Sequence, residues 1–171
     1  MISASAPHSE SHTLNTGIIP AVIGAFFLGI AWWYPDTIFS AVLTWPAAAM
    51  FCLAARGRRP ILALYIGGLI LQPLGFYWLF GTISHFGGFS IALSIFFFAL
   101  FVIVSALQFA FFGFLTTRLP KSFDSLALRA PIAWITAELL SVRIFPWHLG
   151  HTEIAFTSLV QIADVFGSLG V

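Results

Sequence analysis

A chain of 171 residues that is 60% hydrophobic, 17% aromatic and only 8% charged cannot cover a folded domain with a water-facing surface, because soluble domains carry roughly 25% charged residues. Together with a mean hydropathy of +1.00, this predicts an all-α integral membrane protein. The expected form is a helical bundle of about five transmembrane helices plus the start of a sixth. The net charge of +1 supplies no basic field for nucleic acid, and the one cysteine, Cys52, excludes an internal disulfide and a cysteine-built metal centre.

Residues 1–15 are polar and lack Lys and Arg. They have no basic start of the kind a secretory leader needs, so they read as a disordered tail. His8 and His12 stand four apart, a spacing that can hold a metal, but two isolated histidines in a polar tail read as nothing more. The rest, residues 16–171, reads as one multi-span membrane domain. The first span, residues 16–34, ends in Trp32-Trp33-Tyr34, an interfacial aromatic belt. Pro35-Asp36 turns the chain into a second span, residues 37–55, with Pro46 as an internal kink. Arg56-Gly57-Arg58-Arg59 closes that helix with three positive charges.

The third span, residues 60–80, holds Gly67-Gly68 and Gly75, which permit close helix approach, and Pro73, which should bend it. Tyr77-Trp78 marks its far interface. Residues 81–88 read as a loop from their glycines. The fourth span, residues 89–117, exceeds a hydrocarbon core of about 30 Å at about 1.5 Å per residue, so it tilts or protrudes. Its phenylalanines are expected to face all round, toward lipid. Arg118, Lys121 and Arg129 populate a second basic loop, and a fifth span follows at residues 126–145. Pro146 should stop that helix near Phe145. The turn Phe145-Pro146-Trp147-His148-Leu149-Gly150-His151 reads as a surface loop at a bilayer face. Residues 152–171, broken by Gln161, Asp164, Gly167 and Gly170, read as an interfacial segment leading into a sixth span.

Six of the seven Lys and Arg lie in the two basic loops. An even number of spans separates those loops, so they share a side, which the positive-inside rule makes cytoplasmic. The turn at residues 145–151 then faces outward. Glu138 falls inside the fifth span, where an ionised carboxylate costs about 2.5–3.5 kcal/mol, so it should face protein or water. It lines a cavity or makes an interhelical hydrogen bond; the two readings stand equal. Arg143, five residues on, is only a loose partner for it. Asp164 with Gln161 reads as a polar anchor at a helix start. Cys52 has no neighbouring base and reads as a packing residue. No phosphate loop, nucleophile triad, cofactor motif or metal cluster stands out.

The order of several short motifs resembles the N-terminal membrane half of the apolipoprotein N-acyltransferases, bacterial enzymes of lipoprotein biosynthesis. Arg58-Arg59-Pro60 and Arg118-Leu119-Pro120-Lys121 resemble the family's two basic loops. Trp78 followed by His85-Phe86-Gly87-Gly88 resembles its Trp and Phe-Gly-Gly loop. Ala130-Pro131, Trp134 and Glu138-Leu139-Leu140 resemble the helix before its Phe-Pro-Trp turn. Phe145-Pro146-Trp147 and Leu149-Gly150-His151-Thr152 resemble the turn itself, and Gln161-Ile162-Ala163-Asp164 with Gly167 and Gly170 resembles the approach to the next span. Ser141-Val142 stand where members commonly have Arg-Gly, and Glu153 where they have Gln.

The resemblance implies a multi-pass protein of the bacterial inner membrane. Its partners would be membrane lipids, a phospholipid acyl donor and a diacylglyceryl lipoprotein, with no nucleic acid, cofactor or metal. It also implies that the chemistry resides in a nitrilase-like domain with a Glu-Lys-Cys triad, which residues 1–171 do not contain. The chain is therefore expected to be a fragment or truncated relative, inactive alone. No residue in it is read as catalytic. Its contribution would be a membrane platform whose outer loops form a lipid-entry cavity around Trp78, His85, Glu138, Phe145, Trp147 and His151. A transporter-like protein or a small membrane adaptor without chemistry is the alternative.

Overall fold

The computed structural model describes residues 9–120, 126–145 and 147–169, and among these every regular element is helical. Helix α1 (Ser9–Trp33) opens within the segment expected as a polar tail; residues 1–8, with His8, lie outside the described residues. A tight turn leads to α2 (Ile38–Ala55). Thr37 caps it, its Oγ1 accepting the Ser40 N–H at 3.3 Å. Helix α3 (Pro60–Gly75) starts on a proline, whose missing N–H would have had no helical partner in that position. A short α4 (Tyr77–Gly81) and a π-helical turn (Thr82–Phe86) follow. Then come the long α5 (Ile91–Arg118), α6 (Leu126–Leu140), a 3₁₀ turn (Leu149–Glu153), and the one-turn helices α7 (Thr157–Val160) and α8 (Ala163–Phe166).

Helix α1 packs against both α2 and α3, α3 packs against α5, and α6 closes on α5. Small residues make these contacts close. A Cβ on Gly67 would sit 3.0 Å from the Ala21 carbonyl oxygen, and one on Gly68 would sit 3.0 Å from the Ala106 Cα. Where lipid tails are as apolar as side chains, such backbone approach supplies the van der Waals contact that associates helices. The core between them holds Leu28, Phe51, Leu64, Leu71, Phe109 and Phe112.

Three elements depart from the sequence reading. The third span is broken, and its two parts meet at 61°. The break falls at Phe76, three residues after Pro73, and the Trp33 indole N–H donates to the carbonyl of Leu74 at 2.8 Å. A helix end leaves carbonyls without intrahelical donors, and this indole supplies one. Residues 82–86, expected in a loop, wind instead into a π-helical turn. The Gly87 N–H reaches the Thr82 carbonyl, and Gly88 then takes φ +66 to leave the turn. The phenylalanines of α5 do not all face lipid: Phe101, Phe109 and Phe112 are buried, whereas Phe96, Phe97 and Phe114 are exposed.

Helices α2 and α5 are each long and apolar enough to cross a membrane, and the bent pair α3–α4 with its π-helical turn makes a third candidate. The apolar part of α1, Gly17–Trp33, is shorter, and α6 has 15 residues. The exterior carries Ile38, Trp45, Phe96 and Ile91 at 60% exposure or more. Such an apolar surface, joined to these helices, belongs to a membrane protein.

Candidate functional site

Helix α6 ends at Leu140, ahead of the expected Phe145, and the chain from Ser141 onward folds back beneath that helix end. Pro146, expected to stop the helix, lies outside the described residues. The fold-back is organised by Glu138, which is 2% exposed. Its Oε1 accepts the Trp134 indole N–H at 2.8 Å, one helical turn away, and the Leu149 backbone N–H at 2.9 Å. Its Oε2 lies 2.8 Å from His148 Nδ1. A carboxylate only accepts, so the Nδ1 proton points toward it. Three donors thus converge on one carboxyl group, which answers the cost of burying it. Two of the three bonds run from helix to turn and the third stays within α6, so none is the interhelical bond of one sequence alternative; the residue does border a cavity, as in the other.

Arg143 does not pair with Glu138. Its guanidinium donates to the Trp147 carbonyl at 2.5 Å and lies 3.4 Å from His148 Nδ1. His151 holds the other end of the turn, its Nδ1 accepting the His148 backbone N–H at 3.3 Å. Accepting there requires the ring to be neutral at Nδ1. Partial desolvation, joined by the neighbouring His148, lowers the His151 pKa below its ordinary value, in the same sense.

The turn's rings point inward. Trp147 meets Trp32 edge-on, centroids 4.5 Å apart, and also faces Phe109. Phe145 stacks on Phe76 at 5.6 Å and contacts Trp78 and Phe101. The expected surface loop is therefore a wedge between α1, α3 and α5, held by aromatic edges and faces. Trp32 belongs to the same cluster and not to an outward belt; a Cβ on Gly75 would collide with its ring.

Of the six residues singled out in the sequence, Glu138, Trp147 and His151 share the polar network, and Phe145 and Trp78 share the ring cluster. His85 stands apart, exposed, its Nδ1 bonded within its own turn to the Gly81 carbonyl and Ser84. Sequence reasoning missed His148, Trp134, Trp32 and Phe76. The spacing of Trp134 and Glu138, four residues apart on one helix, was the available signal for the first bond. Gln161 and Asp164 are exposed beyond the site.

Glu138 also borders a cavity of about 340 Å³ between α2 and α6, lined with Trp45, Phe51, Cys52, Trp134 and Glu153. Glu153 is 4% exposed and takes a hydrogen bond from Trp45, while its Oε2 has no partner among the described residues. Burial pushes its pKa above the ordinary 4.5, against the smaller opposite effect of the Trp45 bond. Among the described residues no cluster of His, Cys, Asp and Glu is arranged to hold a metal ion.

The fold and site define a helical membrane protein whose carboxylate-held aromatic turn is wedged into the bundle. The family described as the apolipoprotein N-acyltransferase N-terminal domain matches residues 27–171, and the chain belongs to it. Apolipoprotein N-acyltransferase 1 of Leptospira interrogans serogroup Icterohaemorrhagiae serovar Lai is 30% identical over 145 residues, covering 78% of this chain. Apolipoprotein N-acyltransferase of Geobacter metallireducens is 29% identical over 136 residues, covering 75% of this chain. The chain spans about a quarter of the length of these curated relatives, at 25% and 26% respectively. No solved structure matches it.

Proposed function

We propose that this chain is the N-terminal membrane portion of an apolipoprotein N-acyltransferase. In this reading the whole enzyme moves an acyl chain from a phospholipid to the N-terminal diacylglyceryl-cysteine of a lipoprotein. Residues 1–171 provide the membrane platform and one wall of the lipid-entry cavity, and are inactive in acyl transfer by themselves. Cys52, near the C-terminal end of α2 and packed against the apolar core, is read as a packing residue and not as a nucleophile. The platform sits in the bacterial inner membrane with about five spans and the start of a sixth. Its basic loops are cytoplasmic, and the Trp147 turn lies toward the opposite side.

One observation carries this reading: the family match, over residues 27–171, spans the turn that Glu138 holds in place. In this reading the wedge of rings held by a buried carboxylate forms an apolar wall for an acyl chain. The test is a chimera in which residues 27–171 replace the matching segment of the Leptospira relative. Trp147→Ala in that chimera should lower N-acylation of a lipoprotein peptide about tenfold while leaving its level in the membrane unchanged. Full acylation by both Trp147→Ala and Glu138→Ala would overturn the reading.

A further inference from the structure

At the basic end of the bundle an open groove of about 630 Å³ runs between α3 and α5. Its lining is mostly apolar, with Leu62 on α3 and Leu107 and Ala110 on α5. Arg58 and Arg59 line its basic end, and the ring of Tyr65 lines it farther along α3. Arg59 is exposed; Arg58 also has an interaction within the fold, so a ligand's charge would meet Arg59 first. Two guanidiniums at one end of a mostly apolar trough match an ionised phosphate joined to a hydrocarbon chain. Guanidinium binds phosphate oxygens in a bidentate fork. Basic residues at a membrane surface each add about 1 kcal/mol of attraction to an anionic headgroup.

We propose that this groove is a binding site for one anionic phospholipid of the leaflet facing the basic loops, with the phosphate at Arg58 and Arg59 and an acyl chain against Leu62, Leu107 and Ala110. The site lies at the other end of α3 from the Trp147 wedge and does not depend on the acyl-transfer reading. It is also more specific than a general positive field, because Arg56 carries the same charge in the same loop but does not line the groove.

Native mass spectrometry of the detergent-solubilised full chain tests this, with phosphatidylglycerol and phosphatidylcholine supplied in equal amounts. Phosphatidylglycerol should be retained about tenfold over phosphatidylcholine. The double variant Arg58→Gln/Arg59→Gln should abolish that preference, and Arg56→Gln should keep it. Ala110→Phe leaves every charge in place but fills the trough, so it should reduce retention of the lipid, with a thermal melt confirming that the variant is folded. Equal retention of both lipids, equal loss in Arg56→Gln, or full retention in Ala110→Phe would each overturn the proposal. So would displacement of the lipid by millimolar inorganic phosphate, which would leave a phosphate site without a lipid.

Discussion

Glu138 binds three donors that have no other described partner of comparable geometry: the Trp134 indole, the Leu149 amide and His148. Each buried donor left unpaired costs about 1–3 kcal/mol. Glu138→Ala should therefore destabilise the protein by about 3 kcal/mol, read as a lowered melting temperature in detergent. Glu138→Gln keeps one acceptor oxygen and should recover part of that loss. Glu153 behaves oppositely. Its folded pKa lies above the ordinary 4.5, so its neutral form suits the fold. Below 4.5 the carboxyl is neutral both folded and unfolded, and its contribution is fully present. As pH rises through the folded value, the unfolded chain ionises more readily and that stability is lost. Glu153→Gln should therefore melt higher than the parent at neutral pH. A series of melts taken down through pH 4.5 should show the advantage shrinking; an advantage independent of pH would contradict the assignment.

At the scale of elements, glycine positions decide how closely α3 approaches its neighbours. Gly67 faces α1 and Gly68 faces α5, so one dipeptide serves two interfaces about 100° apart around one helix. Gly68→Leu would drive a side chain into the Ala106 backbone, and overpacking of that kind costs about 1–3 kcal/mol. The expected outcome is a lower melting temperature with helical content retained, measured by circular dichroism. The bend after α3 has a different origin. Pro73 removes a donor, but the chain turns where Phe76 leaves helical geometry, and the Trp33 indole holds the Leu74 carbonyl there. Phe76 then becomes the ring on which Phe145 stacks, so the bend and the wedge depend on each other.

For the whole molecule, the distribution of cations predicts orientation. Arg59 sits before α3, and Phe86, 89% exposed, sits beyond the bent end of the same span. Arg59→Cys and Phe86→Cys should react with a membrane-impermeant thiol reagent from opposite faces of the membrane, in a background with Cys52 replaced. Labelling of both from one face would mean that the bent pair is a re-entrant hairpin and would reduce the number of spans.

Composition alone placed this protein in a bilayer, because partitioning depends on local apolar content, which a single strand of sequence carries in full. The start of α3 at Pro60, the extent of α5 and the resemblance that led to the family were legible for the same reason: caps, prolines and motif order are local. The partners of Glu138 were not legible. His148 and Leu149 reach it only because the chain folds back under α6, and no helical spacing encodes that return. Trp32 looked like a belt residue until the missing side chain at Gly75 left room for its ring inside. Likewise the groove beneath Arg59 exists only once α3 and α5 lie side by side. Such contacts depend on how separate helices fill shared space, and that is decided by packing in three dimensions, not by the order of residues along any one of them.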